Sequence, residues 1–255
     1  MASAGQAVPA FVSLAAHPLR WRLLTALARG DYRVRELTAL VGEPQSLVSY
    51  HLRLLREAGL VSTVRSSFDG RDSYYHLHLD RCADGLAAAG AGLHPALRMQ
   101  PVPATAPAAQ GSRAAVLFAC TGNSARSPIA EALLRHHSHG HIEVTSAGSH
   151  PKRHMHPTAI RLLRKRFGID IASQRPRHLH TLAEHRFDYV ITLCDKVREV
   201  RPDFPAPARH VHWSIPDPAA PDTSSAFSRT VNEIETRIRY LLPVLATPTD
   251  LEATA

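Results

Sequence analysis

A cysteine and an arginine in one short polar segment carry the clearest chemistry of the chain. Cys120 and Arg126 form a Cys-x5-Arg pattern between the apolar run AAVLFA and a helical pattern. A loop in that place turns successive backbone N–H groups, here those of Thr121 to Ser127, toward the positive end of the helix. The sequence therefore predicts an anion site, in which Cys120 is held as the reactive thiolate and Arg126 clamps two oxygens of a tetrahedral oxyanion.

The residues inside this loop are small or polar, as an anion-binding curl requires. We expect Gly122 to adopt a positive backbone torsion, and Asn123 and Ser127 to keep the loop in shape through hydrogen bonds. The alternative is a buried cysteine at a strand end and a surface arginine, since Cys-x5-Arg often occurs by chance. The predicted oxyanion-binding loop comprises Thr121, Gly122, Asn123, Ser124, Ala125 and Ser127.

The elements around the loop alternate between strand and helix. Strand patterns cover residues 142–146 and 189–193, and helical patterns cover 157–167 and 227–242, the last ended by Pro243. This alternation predicts an α/β domain with an open parallel sheet, whose sites form beyond the carboxyl ends of the strands. Cys120 lies at such an end.

The first half of the chain has a different pattern. Helical periodicity covers residues 11–28, 34–40 and 44–58, and strand-like residues 60–67 and 73–79 are joined through an Asp-Gly turn. This order predicts a winged helix-turn-helix, mainly α with a β-hairpin wing.

The third of these helices has one apolar and one polar side. Leu47, Val48, Leu52, Leu54 and Leu55 are expected to face the core. The polar side of this helix suits a DNA major groove, because its hydroxyl, amide and guanidinium groups can bind base edges and phosphates. The alternative is that this polar side is an ordinary solvated helix face. The predicted DNA contacts are Gln45, Ser46, Ser49, Tyr50, Arg53 and Arg56, with Arg71 in the wing.

Residues 11–90 resemble the ArsR family of dimeric bacterial repressors through HPLRWRLLTAL, SYHLRLLREAGLV and FDGRDSYYHL. The resemblance implies binding to double-stranded operator DNA as a homodimer through this domain. Arsenite-sensing members often carry a Glu-Leu-Cys-x-Cys run, but residues 36–40 read ELTAL. With Cys82 as the single thiol of this half, a three-thiolate site cannot form within one domain. We interpret Cys82 as a packing residue, the alternative being a ligand across the dimer.

Residues 114–247 resemble the low-molecular-weight tyrosine phosphatase superfamily, and within it the arsenate reductases. The matching segments are VLFACTGNSARSPIAEALL, VTSAGSHP, HPTAIRLLRKRFGIDIASQRPRHL, YVITLCDKVRE and WSIPDPA. The resemblance implies Cys120 as nucleophile, Arg126 as oxyanion clamp, Asp217 as general acid and Cys194 as the second thiol that a reductase needs. Core packing is the alternative for Cys194.

Three functions remain open for the second half. The first is arsenate reduction with arsenite release by a second thiol. The second is protein-tyrosine phosphatase activity, which a reductase could also retain at a low level. The third is oxyanion sensing without turnover. The stretch after Asp217 lacks the aromatic that lines a phosphotyrosine slot. Arg201 stands where thioredoxin-linked reductases carry a further cysteine, so an external thiol system is expected: a thioredoxin-, mycoredoxin- or glutaredoxin-type protein or a low-molecular-weight thiol.

Composition sets the remaining expectations. The chain has 255 residues, 44% hydrophobic, a net charge of +8 and three cysteines, which suits a packed cytoplasmic protein with polyanionic partners rather than a disulfide-stapled secreted one. No apolar run could span a bilayer, and no secretory signal is recognised at the N-terminus. The Pro/Ala-rich stretch predicts a linker at 94–112 between domains at 11–93 and 113–247. Despite 17 histidines, clustered at helix ends and loops, we expect no metal site and no bound cofactor.

Overall fold

A computed structural model describes residues 8–97, 114–200 and 208–246. These residues form two compact units: the first contains the described residues up to 66 and from 70 to 97, and the second contains residues 67–69 and the described residues from 114 onward. Residues 98–112 of the predicted linker lie outside the described residues, so the domain boundaries stay a prediction. Among the described residues, none of the helices is both long and apolar enough to cross a membrane.

The first unit is a helical domain with a small antiparallel sheet in the order β1-β3-β2. It packs around leucines and valines of its helices, with Leu23, Leu37 and Leu52 fully buried. A 3-10 turn at Pro95–Leu97 follows its last helix. Its elements are α1 (Ala10–Ala15), α2 (Pro18–Leu27), β1 (Tyr32–Arg33), α3 (Val34–Val41), α4 (Gln45–Glu57), β2 (Val61–Arg65), β3 (Ser73–Leu77) and α5 (Leu79–Leu93).

Two predictions for this unit were wrong in detail. The single helix expected over 11–28 is divided into α1 and α2, because Pro18 starts α2 and the His17 side chain caps it by accepting from the Leu19 N–H. Leu47, expected in the core, is 39% exposed. It lies in the first turn of α4, whose buried side begins one residue later with Val48.

The Asp69-Gly70 turn of the wing is confirmed. Gly70 has φ +67°, which glycine adopts at little steric cost. It connects β2 to β3, which pair in register from Val61 opposite Leu77 to Arg65 opposite Ser73.

The second unit has a four-stranded, all-parallel sheet in the order β5-β4-β6-β7, which confirms the predicted fold class. The central strand β4 is apolar and buried along almost its whole length, as expected for a parallel strand covered on both faces. Its elements are β4 (Ala115–Cys120), α6 (Arg126–His137), β5 (Glu143–Gly148), α7 (Pro157–Phe167), β6 (Tyr189–Thr192), α8 (Asp195–Val200), β7 (Arg209–His212) and α9 (Ser224–Ala246).

The last helix does not end at Pro243 as expected. It continues to Ala246 with Pro243 inside its final turn. Proline removes one backbone hydrogen bond, and α9 is anchored over its preceding turns by buried Phe227, Ile234 and Ile238. Near a helix end that anchoring outweighs the lost bond.

Candidate active site

The loop between β4 and α6 is held with its carbonyl groups turned outward. The carbonyl oxygens of Thr121, Gly122 and Ser124 accept hydrogen bonds, at 2.8, 2.9 and 2.8 Å, from backbone N–H groups of the chain that follows β5. Because C=O and N–H point in opposite directions in a trans peptide, the N–H groups of these peptides face the other side of the loop. One of them, the N–H of Asn123, donates to Sγ of Cys120 at 3.3 Å. Such an array of donors suits an anion.

Asn123 fastens this loop through its whole side-chain amide. It is 1% exposed. Its Nδ2 donates to Oγ of Ser127 at 3.0 Å and to Oγ of Ser146 at 2.8 Å, while its Oδ1 accepts from the N–H of Arg177 at 2.8 Å. Because the Ser127 oxygen accepts from Asn123, the Ser127 O–H can donate to Sγ of Cys120, which lies 2.9 Å away.

The positive backbone torsion expected at Gly122 is instead at Asn123, so that prediction was wrong. Asn123 has φ +43°. Asparagine tolerates this left-handed conformation better than most residues, and its satisfied amide holds it there. A Cβ at Gly122 would lie 3.3 Å from Cγ of Lys152, a slightly tight contact with a flexible side chain.

Arg126 and Asp217 form an ion pair beside the loop. Arg126 is the first residue of α6 and is 6% exposed. Its Nη1 donates to the carbonyl oxygen of Ile215 at 2.9 Å, and its Nη2 lies 3.1 Å from Oδ2 of Asp217. The Asp217 side chain is 50% exposed. A carboxyl group reachable from solvent therefore contacts the guanidinium that the sequence assigned to oxyanion binding.

Cys194 lies beside the same loop, just beyond the carboxyl end of β6, which pairs with β4. It is 2% exposed, and its Sγ lies 3.3 Å from Oγ1 of Thr121. Burial raises the pKa of the Cys194 thiol, and the positive charge of Arg126 opposes that effect. The four predicted catalytic residues are thus gathered at the carboxyl edge of one sheet.

Two neighbours of the loop were missed by the sequence reasoning. Gly148, the last residue of β5, packs so closely that a Cβ there would lie 2.6 Å from the Thr121 carbonyl oxygen. A glycine at a strand end was the available signal for such a close approach. The other is Ser146, which binds Asn123 and carries no comparable mark in the sequence.

The predicted DNA-contacting residues of α4 share one surface of the helix, and the residues of its other side, Val48, His51, Leu52 and Leu55, are buried. Ser49 is partly buried; the exposed members are Gln45, Ser46, Tyr50, Arg53 and Arg56, and Arg71 is exposed in the wing. The Arg53 guanidinium lies 5.5 Å from the Tyr50 ring centroid and 3.9 Å from a carboxylate oxygen of Glu57.

The remaining cysteine and the histidines have local roles. Cys82 packs partly buried against the core of the first unit, and burial, with the nearby charge of Asp80, raises its pKa to about 11. The partly exposed side chains of His156 and His178 cap helical turns by accepting hydrogen bonds from backbone N–H groups. Within the described parts of the chain, groups of three or more His, Cys, Asp or Glu arranged for a metal ion are absent.

Comparison with known proteins gives two family matches. Residues 115–252, more than half of the chain, match the family described as low molecular weight phosphotyrosine protein phosphatase. Residues 17–63 match the family described as bacterial regulatory protein, arsR family.

Several relatives and solved structures match the second half. The arsenate reductase of Shouchella clausii (strain KSM-K16) is 33% identical over 50% of this chain and 94% of its own length, and that of Brevibacillus brevis is 35% identical over 49% and 90%. The crystal structure of arsenate reductase from Archaeoglobus fulgidus DSM 4304 has 32% identity and a TM-score of 0.43, covering 50% of this chain and 98% of that one. The low molecular weight protein tyrosine phosphatase from T. tengcongensis has 24% identity and a TM-score of 0.46, with coverages of 51% and 99%.

The family match spans the loop of Cys120 and Arg126 together with Cys194 and Asp217, and the regulator match spans α4. The chain therefore belongs to the low molecular weight phosphotyrosine protein phosphatase family and carries an ArsR-family helix-turn-helix domain ahead of it.

Proposed function

We propose that the protein is a DNA-binding transcriptional regulator fused to a thiol-dependent arsenate reductase. The observation that carries the proposal is the second buried thiol, Cys194, whose Sγ lies 3.3 Å from Oγ1 of Thr121, the residue that adjoins Cys120. Hydrolysis of a phosphate ester needs one thiol, whereas reduction of As(V) by thiols consumes two. The curated relatives named arsenate reductase, matched over nine-tenths of their length or more, support the same assignment.

In the first step, the Cys120 thiolate attacks the arsenic atom of arsenate and a sulfur–arsenic bond forms. The backbone N–H groups of the loop and the Arg126 guanidinium bind the remaining oxygens, where negative charge concentrates. Asp217, 3.1 Å from that guanidinium and half exposed, first takes up a proton from solvent and then donates it to the oxygen that leaves as water.

In the second step, Cys194 gives up its proton to solvent and attacks Sγ of Cys120. A disulfide forms and the sulfur–arsenic bond breaks. Its electron pair stays on arsenic, which leaves as arsenite in the As(III) state. The two electrons gained by arsenic come from the two thiols, which are now oxidised. Burial of Cys194 opposes the loss of its proton and the charge of Arg126 favours it.

An external thiol system must then reduce the Cys120–Cys194 disulfide by two electrons. The position of a third relay cysteine is taken by Arg201, which lies outside the described residues. We therefore assign this step to a thioredoxin-, mycoredoxin- or glutaredoxin-type protein, or to a low-molecular-weight thiol, acting directly on the disulfide.

The first domain is proposed to bind operator DNA as a homodimer, through the polar stripe of α4 and Arg71 of the wing. Support for the dimer comes from α1 and α5, which leave Val12, Leu86 and Leu93 exposed at 38%, 43% and 80%. Binding to chromosomal DNA, together with thiol chemistry that needs a reducing compartment, assigns the protein to the cytoplasm.

A single-turnover assay tests the enzyme assignment. The reduced full-length protein is mixed with arsenate without external thiol, and arsenite is measured. We expect about one arsenite per wild-type chain, none from Cys120→Ser or Cys194→Ala, and a wild-type yield from the control Cys82→Ser. Cys194→Ala should still hydrolyse p-nitrophenyl phosphate, because ester hydrolysis uses Cys120, Arg126 and Asp217.

Two results would reject the reductase. Phosphotyrosine-peptide hydrolysis without arsenite formation would identify a phosphatase. Arsenate binding without arsenite or ester turnover would identify an oxyanion sensor. An unaltered arsenite yield from Cys194→Ala would show that a different group expels arsenite.

A further inference from the structure

Four buried polar side chains form one hydrogen-bonded network behind Cys194. Thr192, Asp195, His212 and Ser214 are exposed by 3%, 2%, 5% and 2%. The His212 ring connects them, with Nδ1 at 2.8 Å from Oγ1 of Thr192 and Nε2 at 3.0 Å from Oδ1 of Asp195. Oγ of Ser214 donates to the same Asp195 oxygen at 2.8 Å. Buried polar groups satisfied in this way fix a local structure strongly.

The chemistry of the partners determines the hydrogen positions. A carboxylate only accepts hydrogen bonds, so Nε2 of His212 carries a proton and donates it to Asp195. In the neutral ring Nδ1 then accepts from the Thr192 hydroxyl, whose contact with Nδ1, at 2.8 Å, is shorter than its 3.4 Å contact with the carbonyl oxygen of Val211. Both ring nitrogens of His212 are engaged, so this histidine connects two segments and does not serve as the base that takes the Cys194 proton.

The two segments that His212 connects lie on either side of Cys194. Thr192 precedes the cysteine by two residues, and Asp195 follows it directly. We infer that this network, which we call the His212 bracket, positions Cys194 as the thiol that attacks Cys120, so that its members are positioning residues for arsenite release. The inference rests on the proposed reductase function.

The bracket acts on the second chemical step alone. Ester hydrolysis and the first attack on arsenate use the Cys120 loop, Arg126 and Asp217, whereas the hydrogen bonds of the bracket join the two segments that flank Cys194. Disulfide formation requires the sulfur of Cys194 to approach that of Cys120 in line, so it depends on how closely the chain around Cys194 is held.

Substitutions at Thr192 separate these two effects. Thr192→Val keeps the shape and suits a β-strand but removes the hydroxyl that bonds His212, whereas Thr192→Ser keeps the hydroxyl. Thr230→Val is the matched control, because Thr230 is also buried, at 5%, but lies on α9. Each full-length variant is assayed for arsenate-driven disulfide formation in single turnover and for p-nitrophenyl phosphate hydrolysis.

We expect Thr192→Val to slow disulfide formation about tenfold, the size that loss of one buried hydrogen bond allows, while ester hydrolysis stays within about twofold of wild type. Thr192→Ser and Thr230→Val should leave both rates within about twofold. If Thr192→Val does not fold, Ser214→Ala, which removes one bond to Asp195, is expected to slow disulfide formation about threefold.

Three outcomes would overturn the inference. Unchanged or faster disulfide formation in the bracket variants would mean that the network does not hold Cys194 for attack. Equal losses in both reactions would indicate a general structural role. Absence of arsenate-driven disulfide in the wild-type protein would reject the proposed function itself, whereas the first two outcomes leave it intact.

Discussion

Gly148→Ala tests whether the position of the Cys120 loop controls activity. The added Cβ would lie 2.6 Å from the carbonyl oxygen of Thr121 and 3.0 Å from the backbone nitrogen of Asn123. Both are backbone atoms of the loop, so rotation of a side chain cannot relieve the clash. Since ordinary contacts begin at 3.4 Å, the loop or the end of β5 has to move.

The displacement needed to restore an ordinary contact is about 0.8 Å, and misplacement of reacting groups by about 1 Å costs on the order of 100-fold in rate. We therefore expect kcat/KM for p-nitrophenyl phosphate, and the rate of arsenite formation, to fall by about 50- to 100-fold. Overpacking of this kind also lowers the free energy of unfolding by about 1–3 kcal/mol.

Gly140→Ala separates misplacement from loss of stability. Gly140 has φ +76° and a Cβ there would meet no atom within 4 Å, so alanine costs about 1 kcal/mol of backbone strain and leaves the loop in place. Urea unfolding and steady-state kinetics are measured on both variants, with protection of Cys120 from iodoacetamide by phosphate as a direct measure of anion binding. Gly148→Ala with activity and phosphate protection within threefold of wild type would refute the reasoning.

Three further predictions concern charge. Because burial raises the pKa of Cys194, its thiolate fraction grows with pH, and single-turnover disulfide formation should accelerate from pH 7 to 9; a pH-independent rate would contradict this. Burial, with the charges of His17 and Arg20, lowers the pKa of His51, so the stability that neutral His51 contributes above about pH 6.5 should decline toward pH 5. Urea unfolding of Trp213→Phe, followed by Trp21 fluorescence, measures this loss of stability, and His51→Gln should weaken its dependence on pH. Arg53→Ala should weaken binding to a 30-base-pair duplex and reduce the slope of log K against log salt by about 1, whereas the exposed control Arg29→Ala should not.

Much of the catalytic unit could be predicted because its signals are local. The run ending at Cys120 is apolar enough to be a buried strand, and the six-residue spacing to Arg126 places the arginine on the next helix. The position of a site at the carboxyl ends of parallel strands then follows from the architecture. Cys194 was recognised from its family motif, and the pairing of β6 with β4 explains why it lies beside the loop.

Local sequence signals do not identify which of two neighbouring residues adopts a positive φ when both can do so. Positive φ was assigned to Gly122 because glycine adopts it freely, yet Asn123 takes it, because three hydrogen bonds of its amide outweigh the small backbone cost. Those bonds reach Ser146 and Arg177, 23 and 54 residues away. The periodicity of a sequence does not predict hydrogen bonds between residues so far apart in the chain.

The His212 bracket shows the same limit for positioning residues. Thr192 and Asp195 flank Cys194 in sequence, but their shared partner comes from β7, a strand absent from the predicted elements. His212 is 20 residues from Thr192 and 17 from Asp195. The sequence alone does not distinguish His212 from the other histidines, because only the parallel pairing of β6 with β7 places it opposite Thr192. The reacting thiols can therefore be predicted from the sequence, whereas the groups that position one thiol for attack on the other can be identified only when the sheet order is known.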